Sequence, residues 1–121
     1  MALPIRSCRV EGHTLPSSSC PSELRPDVEQ RTGGLPWLHG ELGAATTRPL
    51  LLVLRIHNRA GIPIAEGQGV LGSGQREFTI SDLRPLGIEA YSHYKEEQRA
   101  QIGQRIWSRS AYASLTLSAA S

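Results

Sequence analysis

Leu50-Leu51-Leu52-Val53-Leu54-Arg55-Ile56-His57 is the stretch on which the fold turns. It is a continuous apolar run of strand length. Asn58-Arg59-Ala60-Gly61 closes it, and Asn and Gly tolerate the positive φ of a tight turn. Leucine has no strong β preference, but a short run bounded by turn residues favours strand over helix. Working outward, Ile62-Pro63-Ile64-Ala65 returns as a second strand. Pro63 has no amide to donate, so that strand belongs at a sheet edge. Arg76 to Ile80 reads as a third strand, with Phe78 and Ile80 on one face.

Between the second and third strands lies Glu66-Gly67-Gln68-Gly69-Val70-Leu71-Gly72-Ser73-Gly74, which contains a G-x-G-x-x-G. A phosphate-cradling loop of the dinucleotide type must leave a strand and open a helix, so that the helix amides face the pyrophosphate. Here a strand follows instead, and the lysine, catalytic loop and metal-binding Asp motif of the kinase version are missing. The glycines therefore read as a flexible hairpin connection.

Farther along, Ser81 to Gly87 is a break, and residues 88–108 favour a helix through Glu89, Ala90, Lys95, Glu96, Glu97, Gln98, Arg99, Ala100 and Gln101. Its apolar face is thin: Ile88, Tyr91 and Tyr94, then Ile102, Ile106 and Trp107, with Gly103 as a destabilising interruption. The tail from Ala111 to Leu117 alternates polar and apolar residues as a fourth strand would. Phe78-Thr79-Ile80-Ser81-Asp82-Leu83-Arg84-Pro85, with Tyr91 and Ser114-Leu115-Thr116-Leu117, resembles the E–F corner and last strand of a fibronectin type III sandwich. That resemblance implies a binding module rather than an enzyme. The chain departs from it, because Tyr91 lies too far from Leu83 and residues 95–101 are charged and helix-prone.

Toward the N-terminus, residues 1–48 carry Pro4, Pro16, Pro21, Pro26 and Pro36, with Ser17-Ser18-Ser19 and Gly33-Gly34 between them. No apolar period persists there, and burial too slight to offset chain entropy leaves such a segment disordered. Leu35-Pro36-Trp37-Leu38-His39 is an apolar island in this arm. It reads either as a partner-docking motif or as a cover for the core. The expected architecture is α+β: a disordered arm over 1–48 with its motif at 35–39, and a small domain over 49–121. That domain has a small antiparallel sheet and one C-terminal helix.

Composition narrows function by exclusion. Phe78 is the sole phenylalanine and Lys95 the sole lysine, and arginine supplies nearly all positive charge in a chain of net charge +2. Dispersed arginine interleaved with glutamate is ordinarily a solvated surface rather than a nucleic-acid footprint. Cys8, His13, Cys20 and His39 lack the close paired spacing of a zinc site. Neither metal nor cofactor is expected. No apolar h-region precedes residue 10, and the longest apolar run is about a quarter of the roughly 20 residues of a spanning helix. Cys8 and Cys20 are therefore expected as free thiols and the protein as intracellular, in cytoplasm or nucleus. Serines, His57, His93 and Asp82 share no elbow motif that would assemble a triad, so no enzyme is expected.

The expected role is that of a small regulatory or accessory protein acting through contacts with another protein. Leu35, Trp37 and Leu38, with Ile102, Ile106 and Trp107, would form the contact surfaces. The alternative is an arginine-based nucleic-acid binder, using Arg99, Arg105 and Arg109 for phosphates and Trp107 for stacking.

Overall fold

The computed structural model describes residues 2–12, 15–90 and 96–120; His13, Tyr91, His93, Tyr94 and Lys95 lie outside the described residues. Eight strands make up most of it: β1 (Leu3–Val10), β2 (Glu23–Thr32), β3 (Leu35–Glu41), β4 (Leu50–Asn58), β5 (Pro63–Leu71), β6 (Glu77–Ile80), β7 (Asp82–Pro85) and β8 (Ser110–Ala119). One α-helix, α1 (Glu96–Arg109), precedes β8. Short 3-10 turns occupy Ser17–Ser19 and Gly87–Glu89.

The strands form one sheet in the order β6-β3-β2-β1-β8-β4-β5-β7. Its two ends are consecutive in the chain. β6 pairs with β3 and β7 pairs with β5, so the segment 77–85 changes partner at Ser81 and draws the edges together into a nearly closed barrel. β1 and β8 run parallel and adjacent, and the remaining pairs are antiparallel.

β4 forms where the apolar run stands. Leu50, Leu52, Leu54 and Ile56 point inward and are buried, while Leu51, Val53 and His57 are half-buried on the outer face. β8 supplies Ala113, Leu115 and Leu117 in register with them, Ile56 opposite Ala113, Leu54 opposite Leu115 and Leu52 opposite Leu117. These rows are the centre of the core, which α1 caps with buried Ile102 and Ile106.

The structure overturns the fold expectation and the expected state of the cysteines. The first is the α+β fold with its small sheet and disordered arm. Residues 3–10, 23–32 and 35–41 are strands of the same sheet, and Leu3, Leu24, Leu35, Leu38 and Leu42 are buried in the common core. Each of these strands has too few apolar residues to show a period, yet a strand docked on an existing sheet needs only one or two inward leucines to hold its place. The second is the free thiols, since Cys8 and Cys20 are joined in a disulfide that ties β1 to the turn at 17–19.

The Gly-Gly and the G-x-G are close-contact devices rather than loose connections. Gly33 and Gly34 have φ of +60° and +83°, the two left-handed residues of a hairpin turn between β2 and β3. That turn packs against α1 so tightly that a Cβ on Gly103 would overlap the Gly34 carbonyl carbon. Gly67 and Gly69 lie inside β5, not in a loop, where β6 and β7 cross it. A Cβ at Gly67 would come within 2.8 Å of Ile80 and Leu83, and one at Gly69 within 3.2 Å of the Thr79 carbonyl.

Candidate functional site

The chemistry-bearing residues fall in three places on the barrel. The first is the capped end. Glu89, in the 3-10 turn before α1, is 2% exposed, and Arg105 and Arg109 of the helix hold its carboxylate at 3.5 and 2.5 Å. A buried carboxylate is tolerated only with such partners, and the pair here fastens the helix to the barrel end. Arg99 also has a partner of its own. The three arginines expected to meet phosphate are thus engaged within the protein. Ile102 and Ile106 face the core below them, and Trp107 is half-buried against it. The patch expected on the outside of the helix is the underside of the cap.

The second place is the outer face of β2 and β3. Leu35 and Leu38 are buried, so the island at 35–39 does cover the core, but Trp37 alternates outward and is half-buried. Its indole Nε1 donates to Thr32 Oγ1 at 2.9 Å. A bulge between Asp27 and Arg31 lifts Val28 beside it, 55% exposed, with Asp27 directly opposite Trp37. On the neighbouring position of β3, His39 Nε2 lies 3.5 Å from Asp27 Oδ2 and its Nδ1 3.0 Å from Thr79 Oγ1. The order acid, imidazole, hydroxyl is that of a nucleophilic triad. Its setting differs, since the His39 side chain is 41% exposed on a sheet face open to water. Stabilisation of a developing oxyanion needs donors aimed into a site from which water is excluded. The row acts as a cross-strand polar ladder.

The third place is the outer face of β4 and β8. His57 Nε2 is 2.9 Å from Ser114 Oγ, the His57 ring stacks on Tyr112 with centroids 4.7 Å apart, and Arg6 covers the other face of Tyr112 at 4.3 Å. The bulge in β1 between Ile5 and Ser7 turns Arg6 outward to reach it. Sequence reasoning missed this cluster, because its members come from three strands separated by more than fifty residues and only the register brings them together. The alternation of Tyr112, Ser114 and Thr116 was its one local signal.

Among the described residues no group of three or more metal-ligating side chains converges, and no helix is long and apolar enough to cross a membrane. The chain matches no family model, no curated protein and no solved structure.

Proposed function

We propose that this is a small non-enzymatic accessory protein that acts through contact with another protein, and that the Trp37 face of β2 and β3 makes the contact. The observation that carries the reading is the pair of apolar side chains there, Val28 55% exposed and Trp37 half-buried on the same outer face. Thr32 already satisfies the indole N–H, so what Trp37 offers a partner is the apolar body of the ring. Tryptophan buries much area at low entropic cost, which is why it anchors interfaces. Val28 sits in a bulge, a device that re-aims side chains and blunts uncontrolled strand pairing. Of the residues expected to dock a partner, Trp37 is the one this reading retains. Leu35, Leu38, Ile102 and Ile106 support it from the core, and Trp107 packs under the cap.

No specific observation favours nucleic-acid binding, because Arg105 and Arg109 are held by Glu89. The test is affinity capture with the full chain against Val28→Glu and Trp37→Ala, followed across a salt series. Proteins retained by the native chain should be lost with Val28→Glu, and retention should barely change with salt. Equal retention by Val28→Glu would refute the assignment of this face. Loss that follows salt steeply would instead indicate phosphate contacts.

A further inference from the structure

We propose that the outer face of β8, flanked by Arg9 and Arg55, binds a tetrahedral oxyanion, a phosphate or sulfate group, beside Ser114 with the Thr116 hydroxyl as donor. Residues at two-residue steps on a strand share a face, so Ser114, Thr116 and Ser118 form a hydroxyl row along β8. The inward partners of this row, Ala113, Leu115 and Leu117, are buried, which fixes the hydroxyls outward. Arg9 of β1 stands opposite Thr116, and Arg55 of β4 stands opposite Ser114. Each lies about one strand spacing, roughly 4.8 Å, from the row. Arg55 lines the groove from the β4 side, and Arg9 stands at the register position across the row, on the β1 side. Arg9 is exposed, and the Arg55 side chain is 54% exposed with Nε 4.0 Å from Glu66, a loose surface pairing that an anion can displace.

The groove along this row has a volume of about 460 Å³ and is lined by Val53, Arg55, His57, Ser114, Thr116 and Ser118, with Glu11 at one end. Glu11 follows Arg9 by two residues and lies toward Ser118, so an anion is favoured away from Ser118, between the Arg9–Thr116 and Arg55–Ser114 pairs. Ser114 is held there by its contact with His57 Nε2, and His57 by its stack on Tyr112. His57 Nδ1 faces the Gly61 carbonyl at 3.4 Å, an acceptor, so the Ser114 hydroxyl donates to Nε2 and fixes the ring, and the Thr116 hydroxyl is the one free to donate to the anion. A planar carboxylate can meet one arginine fork, whereas a tetrahedral anion presents oxygens to two forks and to the Thr116 hydroxyl beneath at once.

The test is a titration followed by amide NMR with inorganic phosphate, inorganic sulfate and a sugar phosphate, at an ionic strength held constant with chloride. Saturable shifts are expected at Ser114, Thr116 and Arg55, weakened at least tenfold in R9Q/R55Q and about threefold in Thr116→Val, which removes a hydroxyl at constant size. Tighter binding of the sugar phosphate would assign an ester as the natural source, and equal binding the free anion. Shifts that do not saturate, or that persist unchanged in R9Q/R55Q with an unaltered melting temperature, overturn the proposal. Should the double variant fail to fold, unchanged affinity in Thr116→Val and Arg55→Gln alone would overturn it.

Discussion

The two sides of the barrel reach the same buried state from opposite kinds of sequence. β4 is a continuous apolar run and β8 alternates, contributing buried Leu50, Leu52, Leu54 and Ile56 on one and Ala113, Leu115 and Leu117 on the other. β1, β2 and β3 are rich in proline, arginine and glutamate, and Leu24 is the buried apolar residue of the ten in β2. The first side holds a hydrophobic layer of its own. The second borrows that layer, placing a few leucines on it while its backbone joins the ladder. What determines whether a polar stretch is ordered is then the edge it can pair with, not its own mean hydropathy.

The largest effect should come from separating the two. Removing residues 1–48 strips β8 and β6 of their neighbours β1 and β3 and uncovers core leucines. The remaining 73-residue fragment (121 minus 48) is expected to lose cooperative unfolding and to aggregate, as read by calorimetry and light scattering. A fragment that melts cooperatively as a monomer would restore the arm-and-domain picture.

Next in size, Leu24→Ala should cost about 3 kcal/mol and Leu54→Ala about the same, each measured by urea unfolding. Similar costs would show that a lone leucine on the polar side is as embedded as one in the apolar run. A cost under about 1 kcal/mol at Leu24 alone would break the equivalence.

The cysteines sharpen the comparison further. Reducing Cys8–Cys20, or replacing both by serine, frees a connection of 12 residues' separation on the polar side. About 2–3 kcal/mol should be lost, with the fold retained. Gly103→Ala is a comparable probe of the cap. Alanine is the better helix former by about 1 kcal/mol, but its Cβ would meet the Gly34 backbone, and the clash should win by about 1–2 kcal/mol. A stabilised variant would mean that the turn yields. The smallest effect belongs to Val28→Glu, within about 0.5 kcal/mol, which is what makes it a clean test of contact.

How far the sequence foretold this varies by element. The run at 50–57, its turn, the third strand and the alternating tail were legible because each has a local pattern that survives without its neighbours. The apolar pattern of the second strand ends at Ala65, yet β5 runs on to Leu71 through Gly67 and Gly69. Glycine looks like a loop former until the crossing β6–β7 segment shows why no side chain fits. The composition favours a helix from residue 88, whereas Gly87–Glu89 is a 3-10 turn and the described helix is Glu96–Arg109, with 91–95 outside the described residues. Gly33-Gly34 was a hairpin signal, flanked by Thr32 and Leu35, that the surrounding prolines obscured. The His57–Tyr112–Arg6 stack was beyond reach, since its geometry depends on parallel pairing between the first and last strands.

The most direct measurement is native-state hydrogen exchange of the amides in β2 and β3 of the isolated monomer. Slow exchange is expected at ladder amides around Leu24, Leu38 and His39, with opening energies close to those of β4 and β8. Complete exchange within the dead time there, alongside protection in β4, would contradict a single barrel built from both sides.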